Sequence, residues 1–353
     1  MMRDMPADRE RPERTRLVQL SPAGSEFSVS IGLARLGVAS AFVTRLPANP
    51  YGHAVRNVAR EHGVGASHFV WAPATDPIGR MIFEPGCTPR PDTVVYQRKH
   101  SAASLLDAGM VEWPGVLAGA RLFHTSGITF GLAAHSGHPR NYNLAAFEEA
   151  VDHLPGDCRV GLDFNYRRTL WPVDAARETL GRVLEEHVHI LITSVQDMAR
   201  FFDLGCARFS ARALLETSPA LEDEDLQALA SAVLSRFDLE VVALTLRQVD
   251  SLEHHRWESA AASRDGAFFR SPAARPVSVA DRLGGGDAWT AGFYYGLLTG
   301  GWTSAGLVKG VLVGDAAARL KQTFMFDIPV LDRREVEALL EADLAGGATH
   351  PVR

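Results

Sequence analysis

Cysteine is scarce in this chain: Cys87, Cys158 and Cys206 are the only three in 353 residues, an odd number set far apart. Such a set excludes a disulfide scaffold, offers no zinc-ligand spacing, and suits a reducing, cytoplasmic setting with free thiols. Long hydrophobic runs are missing too. No stretch approaches the ~20 consecutive apolar residues that cross a bilayer, so no membrane partner is expected. The opening MMRDMPADRERPERTR has no apolar segment and does not read as a secretory signal. Nor is there an excess of basic charge. Lys and Arg number 36 against 42 Asp and Glu, a net charge of −6, whereas sequence-independent binding of nucleic acid needs a basic face. What remains is ample for folding. Hydrophobic residues make up 46% and charged residues 22%, which suits a globular protein with a sizeable core. The length fits one large α/β domain with an appendage, or two modest domains.

Residues 1–16 alternate Arg with Asp and Glu around Pro6 and Pro12 and read as a disordered extension. A folded domain is expected over residues 17–345, followed by a short tail, 346–353. Helices are predicted over 27–36, stopped by Gly37, and over 51–62, stopped by Gly63. Between them VASAFVT, residues 38–44, reads as a buried strand. Across residues 69–100, IGRMIFE and TVVYQR flank the turn-rich PGCTPRPD and predict a small β-rich lid. From Arg121 onward the strand-like segments RLFHTS, CRVGLDFN, VHILITS and LEVVALTL alternate with helical ones. That alternation implies a mainly parallel sheet with helices on both faces, and ligands at the carboxyl ends of its strands. Residues 204–227 read as a surface expansion. The pairs His135/His138 and His187/His189 lack a third ligand nearby and read as packed or solvated.

The densest chemistry lies in DRLGGGDAWTAGFYYGLL, from Asp281 to Leu298. Gly284, Gly285 and Gly286 lead directly into a helix with small residues at Ala288, Ala291 and Gly292. A helix start carries unpaired N–H groups and partial positive charge, and glycines let an anion approach the backbone. Asp287, in the first turn, stands where a carboxylate could take the proton of an alcohol attacking phosphorus. A flexible loop whose Asp merely caps the helix fits the same residues. Three glycines without a Walker lysine do not decide between the two.

This segment resembles the C-terminal signature of the ribokinase-like (PfkB) carbohydrate kinases, D-T-x-G-A-G-D, which reads here Asp281-Arg282-Leu283-Gly284-Gly285-Gly286-Asp287. Arg282 and Gly285 resemble the branch acting on 2-keto-3-deoxygluconate. The resemblance runs from about residue 23 to residue 341. IGLARLGVASAFVTRLPANPYG is similar to the family's glycine-rich helix, strand and turn. CTPRPDTVVYQRKHSAAS carries Tyr96 and Arg98, and GLDFNYRRTLWP carries Asp163, Asn165, Arg167, Leu170 and Trp171. LTLRQVD, with Thr245 and Arg247, is similar to the strand leading to the nucleotide loop.

The resemblance implies a ribokinase-like three-layer αβα core and ATP-dependent phosphorylation of a sugar-acid hydroxyl, 2-keto-3-deoxygluconate giving its 6-phosphate. It makes Asp287 the base and Gly284, Gly285 and Gly286 the anion hole. Substrate contacts fall on Gly24, Ser28, Tyr96, Arg98, Asp163, Asn165 and Arg167. Nucleotide contacts fall on Ser194, Thr245, Arg247, Gly284 and Gly286, with Asp197 reaching magnesium through water. ATP and Mg2+ are the implied cofactors, a monovalent cation is a further candidate, and a homo-oligomer is the implied assembly. A guanidinium fork binds a carboxylate through paired charge-assisted hydrogen bonds that lysine cannot copy, so Arg98 and Arg167 favour an acid over a neutral sugar.

Three departures keep alternatives open. The strand that opens the family's fold has no counterpart ahead of LVQLSP, and Ala23 and Ser28 stand where Gly and Asn are expected. Unless LVQLSP fills that place, neighbouring backbone groups lose their partners. The N-x-x-E motif reads Ser194-Val195-Gln196-Asp197, with a shorter carboxylate. LKQTFMFDIP keeps Asp327 but has Phe326 in place of a glycine. The alternatives are a neutral-sugar kinase of fructokinase or ribokinase type, and a catalytically impaired paralogue with a truncated N-terminus.

Overall fold

The apolar segments after Arg121 build a six-stranded sheet in the computed structural model, which describes residues 1–345 and so leaves the expected tail, 346–353, outside the described residues. Strands β7 (Leu122–Ser126), β8 (Arg159–Asp163), β9 (Ile190–Thr193) and β10 (Val241–Thr245) pair in parallel in that order. Strands β13 (Ser259–Ser263) and β14 (Phe268–Arg270) extend the sheet antiparallel. β9 is buried at every position and β10 at all but its last, as strands covered on both faces must be. Helices Val173–Glu186 and Asp223–Phe237 pack on one face through Leu180, Val183, Leu229 and Val233. Helices Ser25–Arg35, Gly285–Gly300 and Ser304–Lys321 pack on the other through Val29, Trp289, Phe293 and Val311. The core is the expected three-layer αβα arrangement. Two smaller sheets complete the fold. One pairs β3 (Arg45–Pro47) with β4 (Val70–Ala72), and the other joins β11 (Gln248–Val249), β12 (His254–Trp257) and β15 (Arg275–Ser278).

The lid sheet differs from its expected extent. It comprises β1 (Met2–Pro6), β2 (Val18–Pro22), β5 (Arg80–Glu84) and β6 (Thr93–Gln97), in the order β2-β1-β5-β6. The stretch expected to be disordered therefore supplies a central lid strand, and β4 lies outside the lid. The cause is charge pairing across long sequence separations. Arg3 is wholly buried, 2.6 Å from Asp281 and 2.5 Å from Asp327, and Asp4 accepts two hydrogen bonds from Arg80. Buried charges are tolerated when paired and hydrogen-bonded. Met2 and Met5 are buried beside them.

The segment VASAFVT forms no strand. Only Ala41 makes a bridge, to Gly65, and β3 begins at Arg45. LVQLSP contributes β2 to the lid and does not enter the central sheet. β7 is consequently an edge, and beside it lies a cavity of about 660 Å³ lined by consecutive residues 38–46 and 117–125. Linings made of consecutive residues include backbone edges as well as side-chain faces, and along this edge no strand among the described residues pairs with β7, whose Ser126 N–H goes to Glu26.

Candidate active site

Helix Gly285–Gly300 is anchored by the buried residues Ala288, Trp289, Ala291 and Phe293. Gly284 caps it at φ 77°, and a β-carbon there would stand 2.1 Å from the Asp327 carbonyl oxygen, so the position accepts only glycine. Gly286 differs. It is exposed, with open space where a side chain would project, and an anion can reach the backbone N–H groups of this helix start. Asp287 Oδ1 accepts a 2.7 Å hydrogen bond from Ser25 Oγ. Burial raises the Asp287 carboxyl to about 6; the Ser25 hydroxyl opposes the rise, the Asp327 and Glu26 carboxylates add to it, and Arg167 opposes it. Such a group is ionised at neutral pH yet basic enough to take an alcohol proton.

β8 brings its carboxyl end to the same place. Asn165 Nδ2 donates to Asp163 Oδ2 at 3.0 Å and to Ser25 Oγ at 3.2 Å. Asp163, Asn165, Ser25 and Asp287 thus form one connected chain. Asn165 sits at φ 40°, a left-handed conformation that asparagine tolerates. Burial lifts the Asp163 carboxyl to about 8, and the nearby Asp287 charge adds to the rise. Both carboxyls are therefore held above the usual carboxylate range by burial.

Arg98 follows β6 and is 3% exposed. Its Nη2 donates to Thr169 Oγ1 at 3.1 Å, and its guanidinium lies 3.9 Å from the Tyr96 ring centroid. Among the described residues no carboxylate pairs with it. Desolvation lowers its pKa to about 10, with Tyr96 opposing and Arg167 contributing. Gly24, Ser25 and Glu26 line the same cavity as Arg98. Arg167 is exposed in the loop after β8, and its charge acts on Asp287, Asp163, Asp197, Arg98 and Arg247.

Past β9, Ser194 caps helix Val195–Phe202. Its Oγ accepts from the Asp197 backbone N–H at 3.1 Å and lies 3.0 Å from Asp197 Oδ2. Burial raises the Asp197 carboxyl, against the Ser194 hydrogen bond and the Arg200 and Arg167 charges. Its hard oxygen donors fit a water of the magnesium shell. Thr245 ends β10, and Arg247 lies just beyond. Desolvation and the neighbouring Arg282 and Arg167 cations lower the Arg247 pKa, a convergence of guanidinium groups that suits a polyphosphate. Arg282 is itself tied to Asp92 of the lid at 2.6 Å.

Ser28 is set apart from these groups. It is fully buried, with Oγ 3.5 Å from the Asp327 carbonyl oxygen, because the Asp327 loop packs over it, so it does not face the cleft. Gly24 precedes helix Ser25–Arg35 at φ 154°. Sequence reasoning missed Ser25, whose position at a helix start reads as ordinary. It also missed Glu26, whose Oε1 accepts from Ser126 N, Ser126 Oγ and Thr129 Oγ1 at 3.0, 2.6 and 2.6 Å. No local signal marks either residue.

A parallel sheet that aims a glycine-lined helix start, a poised carboxylate and converging arginines at one cleft defines a kinase of small molecules. The chain matches the pfkB family carbohydrate kinases over residues 1–323 and belongs to that family. It is 29% identical over 348 residues to 2-dehydro-3-deoxygalactonokinase of Haloferax volcanii, covering 98% of this chain and 96% of that protein. It is 25% identical over 291 residues to 2-dehydro-3-deoxygluconokinase of Bacillus subtilis, covering 79% and 74%. The crystal structure of 2-dehydro-3-deoxygluconokinase from Thermotoga maritima superposes with a TM-score of 0.83 at 28% identity, covering 97% of this chain and 95% of that one. The fold is ribokinase-like, and the family implies ATP and, typically, Mg2+.

Proposed function

We propose that this sugar kinase transfers the terminal phosphoryl group of ATP to a hydroxyl of a 2-keto-3-deoxy sugar acid, 2-keto-3-deoxygluconate first and its galactonate epimer next. The observation that carries the reading is Arg98, a buried guanidinium with no acidic partner among the described residues, stacked on Tyr96 in a cavity shared with Gly24 and Ser25. A buried cation without a counter-ion is costly, and a substrate carboxylate removes that cost. The relatives named above act on such acids by name, which supports the same choice. Asp287 takes the proton from the attacking hydroxyl, and the amides of residues 284–286 together with Arg167 stabilise charge on the transferring group. Asn165 and Ser25 hold Asp287 in place, and Tyr96 and Gly24 complete the sugar pocket. Magnesium, when bound, neutralises the nucleotide phosphates, and Asp197 is the residue that would hold its water. Ser194, Thr245 and Arg247 lie along the nucleotide side.

The test is turnover of purified protein with Mg-ATP against both keto acids and fructose. Arg98→Ala is expected to raise KM for the acid by ~10–100-fold, the loss of a charge-assisted hydrogen-bond pair, while the fructose reaction changes little. An equal loss for acid and neutral sugar defeats carboxylate recognition. Asp287→Asn is expected to abolish kcat and spare sugar binding, and undiminished turnover there defeats the assignment of the base.

A further inference from the structure

Beneath the glycine triplet lies a buried charge cluster that the phosphoryl chemistry above does not use. Lys321, the last residue of helix Ser304–Lys321, has no exposed surface. Its Nζ is 3.4 Å from the Asp281 carbonyl oxygen and 3.3 Å from the Phe324 carbonyl oxygen. Arg3 bridges the Asp281 and Asp327 carboxylates a short distance away. Asp281 also receives the backbone N–H groups of Leu283 and Phe326 at 3.0 and 2.9 Å. Two loops are clasped here, 280–284 running into the triplet and 322–328 carrying Asp327. The clasp consists of one ammonium on carbonyl oxygens and one guanidinium on carboxylates.

Carbonyl oxygens in a dry pocket, with carboxylates at hand, are the donor set that replaces the hydration shell of a potassium-like ion. An ammonium is such an ion on a stem. The groups that a free monovalent cation could use are therefore already engaged, and the stem fills the space. The donor set does not fit an added cation. Burial pulls the Lys321 pKa down to about 8, while Asp281, Asp327 and Asp287 pull it up and Arg3 pulls it down, so the group is still charged at neutral pH.

We propose that the Lys321 ammonium is the resident monovalent cation of this kinase, holding the phosphate loop so that turnover needs no added potassium or sodium. The idea rests on the kinase reading above, and its test includes a readout independent of turnover. Wild-type protein is assayed in choline chloride and in KCl, NaCl and NH4Cl at one ionic strength. Its rate is expected to stay within about twofold in all four. Lys321→Ala is expected to lose at least about tenfold in choline and to recover, saturably, with NH4Cl or KCl. Lys321→Met keeps the stem and drops the charge, and is expected to lose turnover without recovery. Binding of the ion to the native state alone raises the melting temperature, so KCl is expected to raise the Tm of Lys321→Ala and leave wild type unmoved. A wild-type rate raised more than about fivefold by potassium overturns the proposal. So does full activity of either variant in choline, or a folded Lys321→Ala protein whose Tm and rate ignore every cation. Absence of turnover with every sugar, beside a potassium-dependent Tm confined to Lys321→Ala, defeats the kinase reading and supports this one.

Discussion

Replacing Ser25 with alanine removes the hydroxyl that donates to Asp287 Oδ1 at 2.7 Å. A hydrogen bond to a charged group is worth ~1.5–3 kcal/mol, and one pKa unit is ~1.36 kcal/mol. With water recovering part of the loss, the Asp287 carboxyl should rise by ~1 unit from its value of about 6. The other charges facing it are unchanged: Asp327 and Glu26 raise it, Arg167 lowers it, and Lys321 lies within reach. The sign follows from the chemistry. A general base must be ionised, so kcat/KM climbs with pH through the carboxyl pKa and levels above it. In Ser25→Ala the climb moves to higher pH, which lowers the rate roughly fivefold at pH 6 and hardly at all at pH 8. The assay is kcat/KM for the keto acid with saturating Mg-ATP from pH 5 to 9, expressed as the ratio of wild type to variant, in which titration of ATP and sugar cancels. A uniform drop at every pH would leave Ser25 a packing role only and refute the electrostatic reasoning, as would a shift to lower pH.

Two further substitutions probe the loops around the base. Gly284→Ala meets a left-handed backbone that costs an L-residue ~1–2 kcal/mol, as well as the Asp327 carbonyl 2.1 Å from its new methyl. Loss of kcat with a lowered Tm is expected by thermal melt and assay, and a variant with wild-type Tm and rate contradicts the close approach. Arg3→Met strands two buried carboxylates, Asp281 and Asp327, and breaking a buried pair by removing one partner costs ~3–5 kcal/mol. Urea unfolding should show a loss of that order, and a change below ~1 kcal/mol would mean that the charges are solvated.

The parallel core was legible because short β-branched apolar runs such as ILIT and VVALT, alternating with helical patterns, fit strands buried on both faces. The glycine triplet and Asp287 stood out as a candidate site because glycines at a helix start serve a left-handed turn, at Gly284, and an open approach to backbone N–H groups, at Gly286. Other parts were hidden by distance. Asn165 and Ser25 meet across 140 residues, and Arg3 meets Asp327 across 324. The rule that mixed charge means solvated chain fails at residues 1–6 because the partners of Arg3 and Asp4 (Asp281, Asp327 and Arg80) are remote in sequence. Phe326 shows the same effect in the backbone. It holds φ 70° where the family pattern has glycine, and its ring lies 5.5 Å from the Arg3 guanidinium, so a contact replaces conformational freedom.

These hidden contacts bear on the site as directly as the legible ones. Asp281 opens the glycine motif and Asp327 packs its carbonyl against Gly284. Both are held by an arginine on a lid strand, and the Lys321 ammonium joins Asp281 to the loop that leads to Asp327. The lid sheet is therefore tied to the loop ahead of Gly284 through Arg3, and Arg282 of that loop reaches Asp92 between β5 and β6. This linkage is a physical route between the lid sheet and the residues around Gly284 and Asp287. The route is made of charges that composition alone assigns to the solvent.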